Sequence, residues 1–238
     1  MTRTPKLLLA ALAVGTCAAV APPAAAPRAP SAAVSNHVPA GLVAARRLQK
    51  IGFAVHAYAD KHNQTPPAAW YDKRGKALLS WRVLILPQLG YTDLHDKFDW
   101  DEPWDGPKNK KLLDQMPKEY AIPGQKAAAN ETHFRAFVGN GAAFDWVQGM
   151  PFPGAFPDGT ANTILCVTAA TAVPWTKPDE LEYDPKKDPR PLLGAPGLAA
   201  PLFLMASADV RAVHKQPVDR WVLDLLIQRN DGRPVPDF

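Results

Sequence analysis

The chain has 238 residues, enough for one domain of ordinary to large size or two small ones. Its 26 prolines lie well above the usual share of ~5% and exclude long regular elements over most of its length. The formal charge is +4, and it falls to +2 once Arg3 and Lys6 leave with a signal peptide, a balance too near neutral to point to nucleic acid.

Arg3 and Lys6 precede an almost unbroken apolar run from Leu7 to Ala21, and Ala24-Ala25-Ala26 follow. A charged start, an apolar stretch and small residues make a secretory signal peptide, so residues 1–26 are read as one. The run falls short of the ~20 apolar residues of a membrane span. If residues 7–21 are kept, they serve as an anchor instead. Val14-Gly15-Thr16-Cys17 faintly matches a lipoprotein box, with Thr16 out of place. Residues 27–40 are rich in Ala and Pro, lack bulky apolar groups, and read as a flexible linker. The expected location is periplasmic, extracellular or envelope-associated. With Cys17 inside the leader, Cys166 is left alone in the apolar run TILCV, where it is expected to pack as a small hydrophobe.

Residues 41–238 are read as a single domain. Its spine is the stretch Gly41 to His62, in which Leu42, Ala45, Leu48, Ile51, Val55, Tyr58 and Ala59 recur at helical spacing. Pro66-Pro67 stop it. Ser80 can cap a short helix ending at Pro87, and Thr92 another over Asp93 to Phe98. Pro107 suits a helix start, with Leu112, Leu113 and Met116 as its apolar side. Thr132 to Val138 and Thr163 to Thr168 read as strands, with a turn at Asp158-Gly159 before the second. Residues 174–196 read as a proline-broken loop. Leu202 to Met205 and Asp209 to Val213 can pair as a hairpin. A last helix opens at Pro217, with Val218, Trp221, Val222, Leu225 and Leu226 on one face. One long helix followed by a few short, sequence-adjacent strands predicts an α+β fold with a small antiparallel sheet, short helices and long Pro-rich loops.

Several stretches then add up: RRLQKIGFAVHAYADKHNQTPP (46–67), SWRVLILPQL (80–89), DEPWDGPKNKKLL (101–113), DGTANTIL (158–165), VPWTKPDEL (173–181) and LLIQRNDGRPV (225–235). In this order they resemble a large bacterial family of prepilin-like (type IV pilin or pseudopilin-like) secreted proteins with a C-terminal domain of unknown function. The resemblance implies a pilin-like architecture, in which a sheet wraps the long helix. The prepilin processing segment of that family is absent here, replaced by the signal peptide and linker. Ser207-Ala208 stand where the family carries Asp-Gly, and its accompanying histidine is missing from 182–206.

No catalytic motif emerges. The six histidines (37, 56, 62, 95, 133 and 214) form no i, i+4 helical pair, and there is no Cys-x-x-Cys, Gly-x-Ser-x-Gly or P-loop. The acidic stretch Asp96, Asp99, Asp101, Glu102, Asp105 makes Asp99, Asp101 and Asp105 the calcium candidates, although Trp104 occupies the place an EF-hand needs for glycine. Trp100 and Trp104 are also expected to pin this loop to the body. Asp158, Asp179 and Glu180 are the acids a fold could pair for glycoside hydrolysis. Seven tryptophans suit either core packing or glycan binding, with Trp175, Trp104 and Trp100 as candidate binding residues. The leading expectation is an exported, non-enzymatic envelope protein with no cofactor. Its expected partners are other envelope or pilus-like proteins or surface glycans, with the membrane added if residues 7–21 remain. The alternatives are a glycan or envelope-polymer binding module and a hydrolase with a carboxylate pair.

Overall fold

The computed structural model describes Met1 and residues 39–124, 130–213 and 218–236. The readings of a signal peptide, a lipoprotein box and nearly all of the linker fall outside these residues, as do His37, His214 and Pro217.

Helix α1 spans Ala40–His62 and ends where Asn63 takes a left-handed conformation, φ 58°. Its buried face is rotated from the expected one: Ala44, Leu48, Ile51, Gly52, Ala54, Val55 and Ala59 are buried, while Leu42 is 46% exposed. The reason is close packing. A Cβ on Gly52 would stand 2.9 Å from both the Ala208 Cβ and the Leu204 Cδ1. Approach this close requires a glycine at position 52, while Leu48, Ile51 and Val55 supply the larger buried side chains of the same face.

A ribbon follows that the sequence reading passed over. Strands β1 (Ala69–Tyr71) and β2 (Ala77–Ser80) pair antiparallel. Their turn is built by Asp72, whose Oδ1 accepts the N–H groups of Arg74 and Lys76, and by Gly75 at φ +80°. The strands are too short to display a two-residue alternation. Ser80 then caps α2 (Trp81–Leu84) as expected, its hydroxyl accepting the Arg82 N–H. Thr92 does not cap: it is the first residue of α3 (Thr92–His95), which lacks a side-chain cap bond. The helix expected from Pro107 is a 3₁₀ segment, Asn109–Gln115, with Leu112 and Leu113 buried.

Seven further elements complete the fold. They are β3 (Glu131–Arg135), β4 (Phe137–Val138), β5 (Ile164–Pro174), β6 (Leu181–Glu182), β7 (Leu202–Met205), β8 (Val210–Ala212) and α4 (Arg220–Ile227). Strands β3-β5-β7-β8 form one antiparallel sheet in that order, and β4 pairs parallel with β6. The hairpin expected over 202–213 is therefore present as β7–β8. The β5 strand runs six residues past its expected end at Thr168, and the 174–196 loop contributes β6.

Alternation along β7 divides the core. Leu202 and Leu204 pack with α1, whereas Phe203 and Met205 pack with Val222, Leu223, Leu226 and Ile227 of α4. A register shift between Ile164 and Cys166 lets Leu165 and Cys166 both join the α1 side. Trp221 leaves the buried face expected for it and is 57% exposed, because the sheet covers the stripe through Val222, Leu223, Leu225 and Leu226. The fold is mixed α/β with antiparallel sheets. Among the described residues, no helix is long and apolar enough to cross a membrane.

The β7–β8 turn holds one strained residue. Ala208 sits at φ +68°, a region that disfavours a Cβ and suits glycine. Ala208→Gly is expected to raise the urea midpoint by relieving that strain. Gly52→Val should lower stability by about 1–3 kcal/mol through overpacking, read from the same unfolding curves.

Candidate functional site

The chemistry of the molecule gathers around a buried ion pair. Arg82 and Glu180 have fully buried side chains, 2.7 Å apart from Nη1 to Oε1. Arg82 arrives there because Ser80 starts α2 two residues earlier. Its five guanidinium hydrogens are all used: Nε and Nη2 donate to the Phe134 carbonyl, Nη1 to the Ser80 hydroxyl, and Nη1 and Nη2 to the Glu180 carboxylate. Glu180 also accepts from the Trp81 indole N–H (3.0 Å) and the Ala136 N–H (2.7 Å). Burial pushes the Glu180 carboxyl up, and Arg82 and the Ala136 N–H oppose that push. The Tyr120 hydroxyl donates to the Arg82 carbonyl.

Above the pair lies a cleft of about 500 Å³ bordered by Arg135, Trp146, Lys177, Asp179, Glu182 and Leu192. Asp179 is held by Arg135 Nη2 and Lys177 Nζ, each at 2.7 Å, and Arg135 Nη1 donates to the Thr171 hydroxyl. The Arg135 Nε is buried and unpartnered. Burial pulls the Arg135 pKa down, against the pull of Glu180 and Asp179.

A second cleft, of about 350 Å³, opens where the chain leaves α1. Tyr58, Gln64, Trp70, Tyr71, Val147 and Gln148 border it. The segment 145–150 seats directly on the chain below. Thr65 N–H donates to the Met150 carbonyl, Met150 N–H donates to the Thr65 hydroxyl, and a Cβ on Gly149 would lie 1.9 Å from the Thr65 oxygen. Only glycine allows that approach.

The candidate residues from the sequence are dispersed. Trp175, expected in an open loop, is fully buried: its indole N–H donates to the Leu113 carbonyl at 2.9 Å, and Tyr120 and Phe98 pack on its ring. It presents no face to a ligand. Trp100 is half-buried and meets Trp70 edge-on at 5.5 Å. Trp104 is half-buried too, its backbone N–H donating to the Leu78 carbonyl and the Lys177 ammonium 6.0 Å above its ring. Both therefore pin the acidic loop, as expected of them, and neither joins Trp175.

The acidic loop closes on itself. The Asn109 side chain donates to the carbonyls of Asp99 and Glu102 and accepts the Asp99 N–H. Glu102 accepts the N–H groups of Lys108 and Asn109. Lys108 pairs with Asp99 at 2.6 Å and, with the Asp101 N–H, holds its carboxyl below the usual range. Asp99, Asp101 and Asp105 do not converge, and among the described residues no three His, Cys, Asp or Glu side chains could hold a metal ion. Of the acids named for hydrolysis, Asp179 and Glu180 border the same cleft, and each of the three is held by other groups. Asp158 accepts the Asp231 and Gly232 N–H groups, Asp179 pairs with Arg135 and Lys177, and Glu180 lies under Arg82. Cys166 is buried, and burial raises its thiol pKa.

Residues 44–162 match the family described as "Protein of unknown function (DUF1559)", half of the chain. The chain belongs to this family. No curated protein and no solved structure matches it. The DUF1559 match contains Arg82, Trp70, Tyr71 and the 145–150 segment, and stops before Glu180. The ion pair thus joins the matched region to the rest of the domain. Sequence reading missed Arg82, Tyr58, Tyr71, Gln64 and Gln148. Arg82 in SWRVL carries no sign that it turns inward.

Glu180→Gln or Arg82→Met is expected to destabilise the fold by about 3–5 kcal/mol in urea unfolding, since each leaves an uncompensated buried group. The double change Arg82→Met/Glu180→Leu should recover only part of that loss, because the Trp81 indole N–H, the Ala136 N–H and the Phe134 carbonyl lose their side-chain partners. Millimolar calcium is expected to leave the melting temperature unchanged.

Proposed function

We propose that the chain is an exported, non-enzymatic, pilin-like protein that works by contact at the cell envelope, without a cofactor. The observation that carries this reading is the long helix α1 laid against an antiparallel sheet, with Gly52 on Leu204 and Ala208, and His56 on the Ala206 carbonyl at 2.7 Å. The charged-then-apolar leader in the sequence and the ordered resemblance to prepilin-like proteins add to it. The hydrogen bonds and ion pairs that hold Asp158, Asp179 and Glu180, and the burial of Cys166, agree with a role in binding rather than turnover. Its partners on this reading are other envelope or pilus-like proteins.

Fractionation and intact mass of the native protein from its own cells test the proposal. A soluble exported species beginning after Ala19 is expected, and a membrane-bound species retaining residues 7–21 would assign that run as an anchor. Full-length protein in the cytoplasmic fraction would overturn export.

A further inference from the structure

We propose that the cleft between the end of α1, strand β1 and the 145–150 segment binds a neutral sugar chain. The inference stands on the cleft alone and is independent of where the protein resides.

The lining decides the chemistry. Tyr58, Trp70 and Tyr71 border one opening together with Gln64 and Gln148, and Tyr71, one step along β1 from Trp70, presents its ring on the opposite face of the strand from the Trp70 ring that packs on Trp100. No Asp, Glu, Lys or Arg borders it. A phosphate or carboxylate seated there would lose water without gaining a counter-charge, which is strongly unfavourable. A neutral sugar has the complementary surface: apolar C–H faces that pack on aromatic rings, and hydroxyls that both donate and accept. Each carboxamide offers two donors and one acceptor. Both glutamines are exposed, and their side chains make no hydrogen bond to the protein among the described residues. Burial raises the hydroxyl pKa of Tyr58 and of Tyr71, where Asp145 adds to it, so both phenols stay neutral donors near neutral pH.

The opening is also held in shape. The Trp70 indole N–H donates to the Trp100 carbonyl at 3.1 Å, and the two rings meet edge-on. The Ala68 and Ala69 N–H groups donate to the carbonyls of Asp145 and Trp146, tying one rim to the other. The Thr65–Met150 bonds close the base. A cleft stitched on both sides loses little freedom when a ligand enters, which favours binding by a shallow site. Its volume of about 350 Å³ lies at the small end of ligand pockets, fitting one or two sugar rings of a longer chain.

The test is saturation-transfer NMR and calorimetry on the purified protein. The probes are cellotetraose, maltotetraose and chitotetraose as neutral chains, and tetragalacturonate as the anionic one. At least one neutral tetrasaccharide is expected to bind with a millimolar or lower Kd. Tyr71→Ala and Gln148→Ala should each weaken it roughly tenfold, whereas Trp221→Ala, at an exposed tryptophan in α4, should leave it unchanged. Gln148 is exposed, so its variant reads binding without disturbing the fold. Silence of the whole neutral panel at ~10 mM, binding of tetragalacturonate alone, or affinity unchanged in both cleft variants would overturn the proposal.

Discussion

A fully buried arginine can persist only if every one of its donors is met, and the domain is arranged so that Arg82 has that. Its partners come from four places: Ser80 at the end of β2, the Phe134 carbonyl in β3, Glu180 before β6, and Tyr120 on its own carbonyl. Glu180 draws in two more, the Trp81 indole and the Ala136 N–H. None of these contacts is local except that between Arg82 and Ser80. The pair therefore sets where the β1–β2 ribbon, the main sheet and the 174–181 segment stand relative to one another. Hydrophobic burial alone is non-directional and would not specify that arrangement.

The second constraint is steric. The α1 helix buries Leu48, Ile51 and Val55 beside its small residues, and its contact with β7–β8 is limited by what fits between Gly52, Leu204 and Ala208. Ala208 holds a left-handed conformation there despite its Cβ. The sheet then separates two apolar regions, α1 on one side and α4 on the other, and β7 serves both by simple alternation. This arrangement uses small residues for proximity and larger ones, Phe203 and Leu223 among them, for buried area.

Both clefts flank the same short segment: Trp146 borders one, and Val147 and Gln148 the other. They differ in kind. The larger is charged and internally neutralised, with Asp179 shared between Arg135 and Lys177. The smaller is uncharged and aromatic.

The α1 helix, the Ser80 cap, the β7–β8 hairpin and the packing role of Cys166 were legible in the sequence, because each depends on neighbours within a few residues. Period, cap and turn are local physics. The rest was decided by tertiary structure. Which face of α1 turns inward depended on Ala208, some 150 residues away, and not on which side chains were largest. Trp70 lies in the short strand β1 and Trp175 in the turn after β5, yet it is Trp175 that fills the core while Trp70 borders a cleft. Composition cannot tell them apart, since burial is set by what folds over them. Arg82 and Glu180 lie 98 residues apart, so neither could announce its partner. The uncharged cleft joins residues 58 to 71 with 147 to 149, and the backbone contacts of Thr65, Ala68 and Ala69 with Met150, Asp145 and Trp146 bring them together.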